Sequence, residues 1–370
     1  MQFDFSKIAN IFSLSSLTKE DEGSVGIDIG SSAIKVVQIK RVDGVATLET
    51  YGELALGPYA NVEIGRATNL DPSRLAEALV DIIREASVTS TKAALSISYA
   101  SSFVTILSLP PTVQESQLAS MVPIEARKYV PVPINEVSLD WFIIPDQRGA
   151  GAADTAQKPM RVLLAAIHNE ALEKYKTVMQ KAGLQTRFNE IEAFSSIRSS
   201  ALDSDGLVTV LDIGASSTKL YVVSRGMIER VHSMTLGSQD MTLALSSALE
   251  LSVVEAEEIK RQVGIIEAEN DPRIKQSLIF TLERIMYEAK RVIAAYESGA
   301  GVQVSKVVCT GGGALLKGLP EYAATYLERE VVIANPFSKV AYPAFLEDTL
   351  REAGPSFAVA LGVALRNLNE

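Results

Sequence analysis

Two octapeptides carry the residues best able to do chemistry: Asp28-Ile29-Gly30-Ser31-Ser32-Ala33-Ile34-Lys35 and Asp212-Ile213-Gly214-Ala215-Ser216-Ser217-Thr218-Lys219. They share the aspartate, isoleucine, glycine, one serine and the lysine. A lone Asp-x-Gly is a common structural turn, but a repeated one with matching flanks reads as a site. Gly30 and Gly214 let the backbone approach a phosphate and take conformations that a side chain would penalise. Ser31, Ser32, Ser216 and Ser217, with the amides around them, can donate hydrogen bonds to phosphate oxygens. Lys35 adds a point charge where the β- and γ-phosphates of a nucleotide would sit. Asp28 and Asp212, at strand ends and facing each other, suit a hydrated magnesium ion held through its waters.

A third element is Thr310-Gly311-Gly312-Gly313-Ala314, where the apolar run Val304 to Cys309 ends in three glycines. Passing directly into a helix, it would bring amides and a helix N-terminus beside a ligand. It matches neither the Walker A pattern nor G-x-G-x-x-G. Alone, it reads equally well as a tight strand-to-helix turn.

These loops need elements that hold them. Each octapeptide follows an apolar strand-like run, Val25 to Ile27 and Leu207 to Leu211. Each then enters a hairpin: Ala33 to Lys40, Asp43-Gly44 and Val45 to Leu56 in the first, then Lys219 to Val223, Arg225-Gly226 and Met227 to Met234 in the second. Two such units imply two similar lobes. Asp71-Pro72 supplies an N-cap and first-turn proline for an amphipathic helix. Thr112 with Glu115 predicts a capping box for a helix running to Tyr129 and bent at Pro123. Ser252 with Glu255 predicts another, opening the helix that carries Glu257 and Lys260. A long helix is expected over 273–296. The segment 146–158 reads as an exposed, mobile connecting loop.

The 370 residues allow two or three domains, and 47% hydrophobic with 22% charged residues suits a protein with a sizeable core. A net charge of −10 disfavours nucleic-acid binding, which needs a basic face. The single cysteine, Cys309, excludes an intrachain disulfide and reads as a buried structural thiol. With only His168 and His232 beside it, no zinc site is expected. No apolar run approaches the ~20 residues that span a bilayer. The first residues lack a secretory pattern, yet Phe5, Ile8, Ile11 and Phe12 recur at helical spacing. Lys7 is offset by Asp4, so attraction to anionic lipid would be weak. This tail reads as loosely docked or frayed, with membrane or partner docking as the alternative.

In their order along the chain, the two Asp-Ile-Gly loops and the glycine run resemble the phosphate 1, phosphate 2 and adenosine motifs of the actin-like ATPases, from Gly23 onward. The resemblance implies an α/β, two-lobed actin/Hsp70-like ATPase fold with duplicated ribonuclease H-like lobes, binding ATP and Mg2+. It implies that Gly311, Gly312 and Gly313 flank the adenosine, with Glu257 and Lys260 near the adenine and ribose. Those two residues fit an ordinary exposed helical ion pair equally well. Asn189 to Phe194 and Ala358 to Gly362 resemble the two connecting segments, where Ala193, Ala358 and Gly362 would let helices cross closely. In this fold a polar residue of the first connecting segment can orient the attacking water. Glu190 is the catalytic candidate, with a supporting place behind magnesium as the alternative.

The run from Leu107 to Pro145 resembles the extra subdomain of the PilM family of type IV pilus assembly proteins and of the related FtsA family. Pro123-Ile124-Glu125-Ala126, Tyr129-Val130-Pro131 and Glu136 to Trp141 carry that likeness. The resemblance implies an SHS2-like subdomain (1C) over 96–168 beside a groove for the N-terminal cytoplasmic peptide of PilN. Val122, Tyr129, Val130, Val132 and Ile134 would line that groove or fill the subdomain core. The chain stops soon after its second connecting segment, which favours PilM over FtsA. The expected division is a tail over 1–22, lobe I over 23–95, 169–205 and 353–370, and lobe II over 206–352, its helical part at about 245–300. The expected function is an ATP-binding cytoplasmic scaffold, peripheral to the inner membrane, docking PilN in a nucleotide-sensitive way. Hydrolysis would be slow at most, membrane association would run through partners such as other assembly-platform proteins, and a homo-oligomer is allowed. The alternatives are an FtsA-like membrane tether or filament, and a genuine ATPase.

Overall fold

The computed structural model describes residues 23–145, 159–201, 206–266 and 271–369. The N-terminal tail and the loop over 146–158 lie outside them.

The chain opens with β1 (Ser24–Ile29), β2 (Ala33–Val42) and β3 (Val45–Ala55), antiparallel neighbours. The turn between β2 and β3 places Asp43 at φ 50° and Gly44 at φ 82°, the doubly left-handed pair that a tight hairpin demands. Helix α1 (Pro72–Glu85) follows, capped by Asp71, whose carboxylate accepts from the Ser73 amide at 2.8 Å. Strand β4 (Lys92–Ile97) pairs parallel with β1. The chain then leaves this sheet through β5 (Ser102–Leu109), α2 (Leu118–Ala126), β6 (Val137–Ile143) and β7 (Met160–His168). It returns by α3 (Asn169–Lys181) to β8 (Gln185–Ile191), and α4 (Glu192–Ser200) leads out again.

The second half repeats the plan. Strands β9 (Leu207–Ile213), β10 (Thr218–Ser224) and β11 (Met227–Met234) form the hairpin unit, with Arg225 and Gly226 at φ 48° and 78° in its turn. Helices α5 (Ser238–Leu249), α6 (Val253–Val263) and α7 (Pro272–Ala300) precede β12 (Lys306–Thr310). Helix α8 (Leu319–Leu327), β13 (Glu330–Ile333), α9 (Glu347–Ala353) and α10 (Ala358–Asn369) complete the chain.

Among the described residues the sheet orders are β3-β2-β1-β4-β8, β11-β10-β9-β12-β13 and, in the insertion, β5-β7-β6. The two five-stranded sheets share one topology, so the octapeptide repeat is the visible tip of a duplicated sheet. Their facing strands share a core, in which Val25, Ile27 and Leu95 cluster with Val208, Val210 and Tyr221. Helix α10 crosses β1 and α4 without room for side chains. A Cβ on Gly26 would lie 2.1 Å from the Ala360 carbonyl, and one on Gly362 would lie 2.0 Å from the Ser195 carbonyl. Of the small residues expected at this crossing, Gly362 is therefore required by backbone contact, and Gly26 on β1 is required in the same way.

The α2 expectation changes. Thr112 caps nothing; a 3-10 turn over Glu115–Gln117 comes first, with the Gln117 side chain accepting from the Gln114 amide at 2.9 Å. Helix α2 then runs with Pro123 inside it and stops at Ala126, short of Tyr129. Val122 and Val130 are buried in the insertion's own core, Val132 and Ile134 pack against it, and Ile124 and Tyr129 are exposed. Cys309 is buried in β12, and burial pushes its thiol up to about 12, an inert structural position.

Candidate functional site

The two Asp-Ile-Gly loops are built alike. The Gly30 amide donates to the Ala33 carbonyl at 3.0 Å, and the Gly214 amide donates to the Ser217 carbonyl at 3.0 Å. Neither glycine takes a left-handed φ. The conformational freedom expected of them is not used; a Cβ would instead crowd the turn's own carbonyl, at 3.1 Å from Ala33 and 2.9 Å from Ser217. The loops touch: the Ser216 hydroxyl lies 3.0 Å from that of Ser31. Ser32 and Ser217 give their carbonyls to the Leu56 and Gly214 amides. Further contacts close the same face. The Gln239 side chain accepts from the Ala67 amide, and a Cβ on Gly65 would be 3.7 Å from Glu257.

Behind the loops lies a cluster of charge. The hairpin registers set Asp28 opposite Lys35 and Asp212 opposite Lys219. Glu192, the first residue of α4, stands with the two aspartates. Burial, with Glu192 and Asp212 nearby, pushes the half-buried Asp28 carboxyl up to about 7 against the pull of Lys35 and Lys219. Burial also raises Asp212, whose carboxylate takes a 3.4 Å contact from the Ser196 hydroxyl. Lys219 lies 3.2 Å from Glu192, and despite burial Glu192 and Asp212 hold its ammonium above the usual lysine range. The other Glu192 oxygen accepts from the Tyr99 amide at 2.6 Å and the Ser98 hydroxyl at 3.4 Å. Lys35 leans instead toward Glu53, at 3.4 Å. Among the described residues, no three His, Cys, Asp or Glu side chains converge as a complete metal cage.

Glu190 stands elsewhere. Its carboxylate is clamped by Arg198 at 2.6 and 2.7 Å, by Arg366 at 2.9 Å and by the Ser195 hydroxyl at 2.5 Å. Burial opposes its ionisation, yet the two arginines and the serine bring it down to about 2. Arg366 also lies over the Phe188 ring, 4.2 Å from its centroid. With both oxygens occupied, Glu190 ties β8 and α4 to α10 and has no lone pair to spend on water. Glu192 and Lys219 are the cleft residues that the candidate set lacked. Lys219 was signalled by the repeat itself, since it closes the second octapeptide as Lys35 closes the first.

The glycine run seals one side. Gly311, at φ 82°, leaves no space for a side chain: a Cβ would meet an Asp212 oxygen at 2.5 Å and the Ile213 carbonyl at 2.6 Å. A Cβ on Gly313 would strike Ile213 at 2.3 Å, whereas one on Gly312 would meet nothing within 4 Å. No helix follows directly; a 3-10 turn covers Gly312–Leu315 and α8 begins at Leu319. Glu257 and Lys260 do pair, at 2.6 Å, but largely out of solvent. Lys260 donates to the Ser238 and Thr242 hydroxyls at 2.9 and 2.8 Å, and Thr242 donates to Glu257 at 2.6 Å. The pair thus braces the first turns of α5, whose Ser238 and Gln239 amides hold the Gly214 and Ala215 carbonyls at 2.8 and 2.9 Å.

The insertion reaches both halves. Tyr99, bonded to Glu192, begins the 3-10 turn Tyr99–Ser101 that leads into β5. Arg161 on β7 pairs with Glu229 on β11 at 2.5 Å. Among the described residues, no helix is long and apolar enough to cross a membrane.

Comparisons with known proteins agree with this architecture. A family model described as type IV pilus assembly protein PilM matches residues 26–368. The structure is similar to that of a PilM-PilN type IV pilus biogenesis complex, with TM-score 0.79 and 26% identity over 95% of this chain and 99% of that one. It is similar to MreB5 of Spiroplasma citri bound to ADP, with TM-score 0.52 and 11% identity over 93% and 95% of the chains. The cell division protein FtsA of Bacillus subtilis is 24% identical over 352 residues, 84% of this chain and 78% of that protein. The fold is the two-lobed actin-like ATPase fold.

Proposed function

The chain belongs to the type IV pilus assembly protein PilM family, and from that premise we propose that it is an ATP-binding scaffold that docks the N-terminal peptide of a PilN-type partner in a nucleotide-sensitive way. The observation that carries the reading is the meeting of Ser31 and Ser216 over Asp28, Asp212, Lys35 and Lys219. Serine hydroxyls and lysine ammoniums match phosphate oxygens, and two carboxylates match a magnesium ion that keeps its own waters. The raised Asp28 carboxyl fits that group, because a cation there would relieve the crowding of three acids. Bound magnesium would neutralise phosphate charge, and the chain's own residues would position the nucleotide. MreB5, of the same fold, is bound to ADP. Gly312, with open space above it, and the braced pair Glu257 and Lys260 are proposed for the adenosine side.

Partner docking is assigned to the insertion, the proposed SHS2-like subdomain. Its exposed Ile124 and Tyr129 offer apolar contact to an extended peptide. Glu192 supplies a physical route for nucleotide sensitivity, since one oxygen meets Lys219 in the cleft and the other holds the Tyr99 amide at the root of β5. A ligand that favours one lobe arrangement would bias the docking surface as a population shift. Docking to a membrane-anchored partner would place the protein at the membrane periphery.

Slow ATP hydrolysis is the second reading, with Glu192 in place of Glu190 as the residue that orients water. Its position among Asp28, Asp212 and Lys219 favours it. Calorimetric titration of ATP with magnesium tests the site. The wild type binds, and Asp28→Ala and Asp212→Ala bind far more weakly. Equal affinity in all three would remove the two-loop site.

A further inference from the structure

We propose that Lys219 is a second phosphate-directed cation, so that a nucleoside triphosphate is gripped by one lysine from each lobe and keeps part of its affinity without magnesium. The inference rests on reading the cleft as a nucleotide site.

Lys35 sits opposite Asp28 on β2 as Lys219 sits opposite Asp212 on β10, and the loop between each pair closes with the same 3.0 Å turn bond. If the first lysine is placed to meet a phosphate tail, the fold places the second as its counterpart across the cleft. The Lys219 ammonium lies 3.7 Å from the position of a Cβ on Gly214, directly behind the second loop.

The two lysines nevertheless have different surroundings. Lys35, its own side chain only 14% exposed, pairs with Glu53, which is 45% exposed, whereas the partner of Lys219 is itself buried. Lys219 is only 8% exposed, and among the described residues its one hydrogen-bonded partner is Glu192. An ammonium has three donors. Burying a lysine with a single partner is costly unless the remaining donors find acceptors. A phosphate oxygen entering beside Gly214 is an acceptor of the right charge at the right place. Glu192 at 3.2 Å and Asp212, opposite Lys219 in the hairpin register, hold this side chain behind the second loop. A purely structural Lys219–Glu192 bridge is the competing reading of the pair.

Titration calorimetry with ATP, in EDTA and in magnesium, separates the readings. Removing Lys219 alone would strand Glu192, so Glu192→Gln is compared with Glu192→Gln/Lys219→Met, in which both charges are gone. In EDTA the wild type binds ATP, and the double variant binds at least about tenfold more weakly than Glu192→Gln alone, an effect of ~1.4 kcal/mol. Glu192→Gln/Lys219→Arg, which keeps a cation there, binds ATP more tightly than Glu192→Gln/Lys219→Met. Equal ATP affinity for Glu192→Gln and the double variant would overturn the role of Lys219. So would wild-type binding that vanishes entirely in EDTA while persisting in magnesium. Absence of ATP binding under both conditions would instead overturn the nucleotide reading, and the role of Lys219 with it.

Discussion

Ser216 donates to Ser31 across 3.0 Å and 185 positions of sequence, joining the two Asp-Ile-Gly loops at the mouth of the cleft. The bond lies at the surface, so its own contribution to stability is small, about 1 kcal/mol or less. On the proposed nucleotide reading its importance is positional, because both hydroxyls would meet a phosphate chain held between the loops. The double variant Ser31→Ala/Ser216→Ala therefore melts close to wild type while losing affinity for ATP in calorimetry. Undiminished ATP binding would mean that these hydroxyls merely close the lobes on each other.

Asp28 makes the cleft sensitive to pH. Its carboxyl is raised from 3.8 to about 7, so the folded apo protein holds a proton that the unfolded chain releases near pH 4. This group's contribution to apo stability therefore falls as pH climbs from about 4 to 7 and is level above that. A cation needs the ionised form, so magnesium-dependent ATP binding weakens as pH falls below about 7, by up to about tenfold per unit. Asp28→Asn flattens this dependence. A wild-type profile that is flat from pH 5.5 to 8 would contradict the assignment.

Glu190 makes the opposite prediction. Glu190→Ala would leave Arg198 and Arg366 buried without their carboxylate, at a cost of about 3–5 kcal/mol. Its folded carboxyl lies at about 2 against an ordinary 4.5, so the clamp is fully present above pH 4.5 and is lost as pH falls through about 2. Denaturant melts between pH 2 and 7 check this. The wild type loses stability in that acid window, and the variant is already low at pH 7. A variant as stable as wild type but unable to release phosphate from ATP would return Glu190 to catalysis.

The glycine run separates packing from ligand contact. Gly311→Ala forces a Cβ onto an Asp212 oxygen at a left-handed φ, so both stability and ATP affinity fall. Gly312→Ala meets no atom within 4 Å, so stability changes by no more than about 0.5 kcal/mol and any loss appears only in ATP binding. Thermal melts beside ATP titrations distinguish the two. Equal destabilisation by both substitutions would contradict this geometry.

Local chemistry made much of this legible from sequence. Asp43-Gly44 and Arg225-Gly226 mark hairpin turns because two consecutive left-handed residues are needed there. Met227 to Met234 and the Asp71 and Ser252 caps stand where turn and cap chemistry put them. Helix α2 starts later than Thr112 and Glu115 predict, because Gln114 and Gln117 compete locally with them. Within Asn189 to Phe194 the sequence points to Glu190 and passes over Glu192, for a different reason. Glu190 ends in a strand and Glu192 opens a helix, and the chain's change of direction at Ile191 sends them to different environments. Arg366, 176 positions from Glu190, decides which one is sequestered. Only tertiary contact carries that information.

In the proposed function, nucleotide in the cleft sets the affinity of the insertion for its partner. The most direct test is calorimetric titration of a synthetic peptide, the N-terminal cytoplasmic segment of the PilN partner, into the full chain with and without ATP and magnesium. The account predicts binding in at least one state and affinities differing about fivefold or more between them. Identical affinity with and without nucleotide, in a protein shown to bind ATP, would contradict it.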